Sequence, residues 1–304
     1  MKTLEKLTTQ RSKIPVLNNV NVINGIATGT DLDQWIQSPC KLADGVYHGA
    51  LISKTPIKSD IPANDFPTMQ KIGEKISSHS LSVDGITWVS AAMSYEETRY
   101  YLNGICFSGK DIVATDGHRL HKIETGERFN HPKFPQGAIV PKEAIKYALL
   151  LAKEKKTDVM TFTMHEHMAL FEIGDTKLWT KYIDATFPDY YMVIPNNSTL
   201  ALCKFNASDF ARAEKRYKEL EKVYGKKKDS SRSIKISDGK PLLLIGDNPE
   251  SFDANFSLPT TIGFNVTYLK ESGLESADFY YGDSCSPVKI VQGNKMAIVM
   301  PLRA

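Results

Sequence analysis

The chain has 304 residues, 41% of them hydrophobic and 24% charged, with 38 basic against 35 acidic side chains and a formal net charge of +3. This is the make-up of a globular protein of two or three domains. No apolar run approaches the roughly 20 residues that a bilayer span needs, the start MKTLEKLTTQRSK lacks the apolar core of a secretory signal, and Cys40, Cys106, Cys203 and Cys285 are too scattered for a C-x-x-C motif, so a reduced, cytoplasmic protein with no membrane partner is expected.

In chain order, residues 20–31 alternate in strand fashion about Asn24-Gly25, the dipeptide that favours a two-residue hairpin turn. Residues 83–93 predict a short helix with Ser82 or Asp84 near its N-terminus. The stretch 99–120, RYYLNGICFSGKDIVATDGHRL, opens on a cationic-aromatic triplet. Its β-prone runs 105–107 and 112–114 flank Ser108-Gly109-Lys110 and predict a hairpin there. Pro141 sits at the first position of a helix, PKEAIKYALLLAKEKK. Ile145, Ala148 and Ala152 fall on one of its faces and Lys142, Lys146 and Lys153 on another. Runs 159–164 and 169–173 flank a turn at 165–167, and 178–183 reads as the strand that closes this sheet.

A second long helix is predicted over 208–224, with Asn206 or Ser208 as cap. Phe210, Ala213, Tyr217, Leu220 and Tyr224 recur at three and four residues, an amphipathic signal, while Lys215, Lys218, Lys222 and Lys226 lie nearly opposite. Residues 226–231 read as a basic loop. Two strand pairs follow with turns at Gly239, Gly246 and Asn248, then a short helix near 266–272 and the last strands. Runs ending in Thr-Asp or Gly-Asp recur at 30–31, 115–116, 246–247 and 282–283, as in an α+β protein of repeated sheet-and-helix units.

No catalytic constellation stands out: there is no nucleophile with an evident base, no P-loop and no dinucleotide fingerprint. His118-x-x-His121 and His165-x-His167 have no Cys or acid to complete a metal set, so neither metal nor cofactor is expected. A lysine-lined helix side puts charge where a phosphate backbone could pass, in contacts independent of base sequence. A solvated face is the ordinary reading of such a stripe, and Glu214, Glu219 and Glu221 dilute the one on the second helix.

The segments RYYLNG at 99–104 and VATDGHRL at 113–120 resemble the middle domain of the bacterial sliding clamp, the beta subunit of DNA polymerase III. Residues 187–190, 262–268 and 299–303 continue the match in order, over most of residues 75–304, and 11–17, 28–32 and 61–67 are similar to the start and end of a clamp's first domain. The resemblance implies the DNA clamp fold, with helices inside and sheets outside. Its parts would be a truncated N-terminal domain at 1–72, a middle domain at 73–194 and a C-terminal domain at 195–304. The first has too few residues for the family's second helix and several strands, and would lean on the second. The compact length suits a phage or mobile-element version.

The resemblance further implies a processivity factor that performs no bond chemistry. Its partners would be duplex DNA without sequence preference, a replicative polymerase and a clamp loader that dock a short linear motif, and a second copy of the chain. The DNA side would carry Arg11, Tyr100, Tyr101, Lys142, Lys146, Lys153, Arg212, Lys215, Lys218 and Lys222. The peptide groove would be built from Arg99, Leu102, Thr115, Gly117, His118, Arg119, Leu120, Pro188, Met192, Val193, Asn265, Tyr268, Ser286, Ile298, Val299, Met300, Pro301, Leu302 and Arg303. Met192 stands where the family usually has arginine, and Ala304 where it has leucine.

The ring joint departs further. Lys215 and Arg216 occupy the place of an apolar pair, and the partner strand expected at 55–58 holds Pro56 and Lys58. A head-to-tail dimer ring would therefore need non-standard contacts. Two other readings are a non-encircling clamp-like interaction protein that keeps the groove, and a His/Asp hydrolase or nuclease whose metal-dependent cleavage would be lost with His118.

Overall fold

The computed structural model describes residues 1–8, 12–69, 71–196, 201–224, 233–237, 240–245, 248–251 and 262–302. Helix α1 (Lys2–Thr8) leads into β1 (Asn19–Ile23), β2 (Ile26–Thr30), β3 (Gln34–Pro39) and β4 (Gly45–His48). Next come β5 (Lys75–Ser82), α2 (Val83–Ser90), β6 (Gly104–Thr115), β7 (Arg119–Phe129) and β8 (Ala138–Pro141). Helix α3 (Lys142–Lys155) is followed by β9 (Val159–His165), β10 (Met168–Ile173) and β11 (Thr176–Lys181). The last part holds β12 (Ala201–Phe205), α4 (Ala207–Tyr224), β13 (Ser233–Ser237), β14 (Lys240–Ile245), β15 (Asn248–Ser251), β16 (Ile262–Asn265), α5 (Val266–Glu271), β17 (Ala277–Tyr281), β18 (Val288–Gln292) and β19 (Lys295–Val299).

These strands form three antiparallel sheets, in the orders β4-β1-β2-β3-β11-β10-β9-β5, β12-β17-β18-β19-β7-β6-β8 and β15-β14-β13-β16. Two of the sheets run through joints between distant parts of the chain. β3 meets β11 from Gln34↔Thr180 to Gln37↔Lys177, and β7 meets β19 from Arg119↔Val299 to Ile123↔Lys295. The helices bury their apolar stripes against the sheets: Ile145, Ala148, Leu151 and Ala152 of α3, and Phe210, Ala213 and Tyr217 of α4, are almost or completely closed to solvent. Phe107 and Phe162 stack across the core at 4.3 Å. Among the described residues no helix is long and apolar enough to cross a membrane.

Several expectations hold. Asn24 (φ 50°) and Gly25 (φ 75°) both take the left-handed turn that joins β1 to β2. Ser82 caps α2, its hydroxyl accepting from the Gly85 amide at 3.3 Å. The first part leans on the middle one through the shared sheet and through Glu154 of α3. That carboxylate accepts from the Thr3 amide at 2.9 Å, the Thr3 hydroxyl at 2.7 Å and the Lys2 amide at 3.1 Å.

Other expectations need correction. Residues 105–114 are not a hairpin but one strand, β6, running through Gly109 at φ 55° with a register shift before Asp111. Its first half pairs with β8 and its second with β7, so the partners that keep it extended are both further along the chain. The hairpin turn lies instead at 115–119. Helix α2 ends at Ser90, short of Met93. The strand expected at 55–58 is a single bridge, Tyr47↔Lys58, onto β4. Residues 226–231, Gly239 and Gly246 lie outside the described residues, as does the side chain of Tyr224.

Candidate functional site

Beside the β7–β19 joint lies a cleft of about 240 Å³ lined by Arg99, Tyr101, Leu102, Thr115, Gly117, His118, Arg119, Leu120, Pro188, Asp189, Tyr190, Val193, Ile298 and Met300. Its floor is apolar because Leu102, Leu120 and Ile298 cluster with Cys106, Val113, Ile139, Phe187 and Tyr190. One wall is the turn after β6, which is wired by its own side chains. The Thr115 hydroxyl donates to the Arg119 carbonyl at 2.6 Å and accepts from the Gly117 amide at 3.0 Å. Asp116 Oδ1 accepts from the His118 and Arg119 amides at 2.9 and 3.0 Å. Gly117, at φ 88°, makes this turn possible.

At the mouth, Arg99 forks onto Glu96 with two bonds of 2.8 Å. That bond holds the Glu96 carboxyl below its usual range and the guanidinium above its own. The tail completes the site: the Met300 amide donates to the His118 carbonyl at 2.9 Å and the Leu302 amide to the Gly263 carbonyl at 2.7 Å.

A second compartment, of about 530 Å³, is lined by Met192, Val193, Ile194, Pro195, Asn196, Gly282, Asp283, Ser286, Pro287 and Met300. It shares Val193 and Met300 with the first, so these two form a ridge between them. Met192, expected in the groove, is 82% exposed here. Asn265 and Tyr268 stand on α5: Asn265 caps it by accepting from the Thr267 amide at 2.9 Å, and the Tyr268 ring lies 6.5 Å from that of His118. Val299 points into the core and Pro301 is half-buried. Arg303 and Ala304 lie outside the described residues.

The residues expected on a DNA side are dispersed. Lys142, Lys146 and Lys153 rim a depression of about 530 Å³ floored by Met93, Ile145, Leu149 and Leu150, with Lys142 Nζ 4.9 Å from the Tyr95 ring centre. Tyr100 is exposed next to Asp31, Asp33 and Glu143, whereas Tyr101 lines the peptide cleft. On α4, Arg212 is held by Asp209 at 2.5 Å and Lys218 by Glu214 at 3.1 Å, while Lys215 and Lys222 are exposed. Arg11 lies outside the described residues. The first histidine pair diverges: His118 is at the cleft and His121 is fully buried against Trp88.

Sequence reasoning missed Asp189 and Tyr190 in the cleft, and Asp111 and Lys122 behind it. An acid at position 111 amid the apolar run of β6 was the available signal.

Sheets joined end to end between distant parts of the chain, helices packed behind them, and an apolar cleft beside a joint define an α+β protein of the clamp class. A family model described as DNA polymerase III beta subunit, central domain, matches residues 76–189. The chain is 32% identical over 274 residues to the beta sliding clamp of Caulobacter vibrioides (strain NA1000 / CB15N), a match covering 80% of this chain and 70% of that protein. It is 27% identical over 269 residues to that of Escherichia coli (strain K12), covering 81% and 70%. Among solved structures, a Bartonella birtlesii sliding clamp bound to griselimycin superposes with a TM-score of 0.80 at 25% identity. The Caulobacter crescentus DNA polymerase sliding clamp does so with 0.77 at 26%, and each covers 100% of this chain and 96% of that one. The chain belongs to the bacterial beta sliding clamp family: it has the DNA clamp fold and is a non-catalytic processivity factor of DNA replication.

Proposed function

We propose that the cleft beside the β7–β19 joint docks the short linear motif by which a replicative polymerase and a clamp loader attach, while the lysines of α3 follow duplex DNA without sequence preference. The observation that carries this reading is the convergence in one apolar-floored cleft of Arg99, Leu102, Thr115 and residues 117–120, then 188–190 and Val193, then Ile298 and Met300, from three separate parts of the chain. An apolar floor with a few polar groups at the rim suits an extended peptide. The division at 72 and 194 is part of the same reading, since both the first and the last part join the middle one by a strand pair.

The test is binding of a fluorescently labelled peptide carrying a clamp-binding motif to the full chain and to a variant lacking residues 300–304. The unaltered chain should bind and the truncated one should not, while both unfold at the same temperature. Equal binding by the two sinks the assignment.

One observation favours the non-encircling reading over the head-to-tail ring. Where the resemblance puts the strand of the ring joint, residues 55–58 form a single bridge, Tyr47↔Lys58, and the positions of the apolar pair that would meet it hold an exposed Lys215 and an Arg216 that pairs with Glu219 at 3.3 Å. Solution mass across a concentration series, with and without circular DNA, decides: a monomer throughout supports the open form and a dimer on DNA the ring.

A further inference from the structure

We propose that Asp111 is a positioning residue for the docking cleft: together with Lys122 it fixes the Tyr190–Val193 turn, and with it the ridge that separates the two compartments. This rests on the cleft being the docking site.

Asp111 on β6 opposes Glu124, and Val113 opposes Lys122, so Asp111 and Lys122 are diagonal neighbours on one face of the β6–β7 pair. Their side chains meet at 2.8 Å, with Asp111 2% and Lys122 7% exposed. A buried ion pair of this kind is costly to desolvate unless the remaining lone pairs are also satisfied. The second oxygen of Asp111 meets that need outside the sheet. It accepts from the Tyr190 hydroxyl at 2.8 Å and the Tyr191 hydroxyl at 2.5 Å.

The two rings stack at 4.6 Å and 30°, and Lys122 Nζ lies 6.0 Å from the centre of the Tyr191 ring. Both phenols are donors held protonated: burial pushes Tyr190 up, and the bond to Asp111 pushes Tyr191 up. Tyr191 is 60% exposed, so its ring is gripped mainly at the hydroxyl. Met192 and Val193, which follow it in the same 3-10 turn, hold apolar side chains in solvent. The other bonds of the turn are local: Asp189 Oδ1 accepts from the Tyr191 amide at 3.1 Å, and the Tyr191 carbonyl from the Ile194 amide at 3.2 Å. Asp111 is therefore the polar tie of this turn to the sheet beneath it, beside the packing of the Tyr190 ring on Val113, Leu120 and Ile298. Without that tie the ridge would be free to shift, and a peptide would bear the cost of ordering it.

The experiment compares Tyr191→Phe, Asp111→Asn and the double variant Asp111→Leu/Lys122→Met with the unaltered full chain, each assayed with the same labelled motif peptide. Tyr191→Phe removes one oxygen at an exposed ring and should weaken binding by about 5-fold with no change in the unfolding midpoint. Asp111→Asn should weaken it by about 10-fold or more and let tyrosine ionisation, followed by ultraviolet difference absorbance, begin at lower pH. The double variant replaces a buried ion pair by apolar groups, which restores stability in such pairs. Loss of the acceptor of the buried Tyr190 hydroxyl offsets part of that gain, so the variant should unfold near the original temperature and still bind about 10-fold more weakly. A double variant as stable as the unaltered chain that binds peptide equally well shows Asp111 to be structural only and overturns the proposal. Peptide that fails to bind even the unaltered chain overturns the docking reading and this one with it.

Discussion

The guanidinium carbon of Arg119 lies 4.4 Å from the centre of the Tyr268 ring. The same side chain is within 3.2 Å of Asp116, donates to the Ala91 carbonyl at 2.5 Å and pairs with Glu271 at the end of α5. One fork therefore binds the turn before β7, the chain after α2, and α5 beside the β7–β19 joint. Arg119→Lys keeps the charge but loses the planar fork. It should cost about 2 kcal/mol of stability, the scale of a charged hydrogen bond broken in a largely buried place. Urea unfolding checks this; an unchanged midpoint would show that the stack alone holds the joint.

Gly117 should not tolerate a side chain. Its φ of 88° strains any L residue, and a Cβ there would come within 2.3 Å of Arg99 Nη1. Gly117→Ala is expected to cost about 1–3 kcal/mol in backbone strain and to push Arg99 from the mouth of the cleft. Peptide affinity should fall together with the unfolding midpoint, and an alanine variant with normal affinity would contradict the wired-turn account.

His121 gives the fold a pH dependence of known sign. Its Nδ1 lies 2.8 Å from the Trp88 carbonyl, which can only accept, so the proton is on Nδ1; Nε2 has no hydrogen-bond partner among the described residues. Burial, with Arg119 nearby, pushes the imidazole down to about 4. Its folded pKa is below its unfolded value near 6.5, so its contribution is complete above about 6.5 and is lost as pH falls toward 4, by up to about 3 kcal/mol. His121→Phe preserves the ring stacked on Trp88 at 4.5 Å and should flatten this slope. Stability measured at pH 7, 5.5 and 4.5 decides, parallel curves for the two proteins being the adverse result.

A second window opens lower. Burial would raise the Glu154 carboxyl, but bonds from the chain's amino terminus and from Thr3 outweigh it and hold the group at about 2. Its grip on α1 is thus complete above about 4.5 and is lost as pH falls toward 2. Glu154→Gln should remove that part of the acid sensitivity, and protection of α1 amides from hydrogen exchange at pH 5 and pH 3 reports it directly.

Neutralising Lys142, Lys146 and Lys153 one at a time should weaken duplex binding equally across sequences. For each lysine that neutralises a phosphate, its removal should also make the slope of log affinity against log salt shallower by about 0.9. An unchanged slope for all three would mark α3 as an ordinary solvated face.

Patterns that depend on neighbours in the chain are legible in the sequence. Asn24-Gly25 specifies its turn by backbone preference alone, and α3 and α4 declare themselves through apolar spacing. Most of the expected cleft residues converge because ordered motifs carried them. What was not legible depends on distant partners. Gly109 looked like a turn, yet β6 runs straight through it because β8 and β7 each take half of the strand. Asp111 had no meaning until Tyr190 and Tyr191, about eighty positions away, came to its carboxylate. Tyr100 and Tyr101 read as one pair, but the 3-10 turn at Tyr100–Leu102 sends them to different depressions.

The two sheet joints also bear on how such a subunit would assemble. β3·β11 and β7·β19 carry two sheets across distant parts of the chain, and the three sheets end on β4, β5, β12, β8, β15 and β16, none of them paired with a further strand among the described residues. A head-to-tail ring requires every subunit to offer two unlike free edges. These terminal strands supply more than one, so edge count alone does not confine the subunit to a twofold pair.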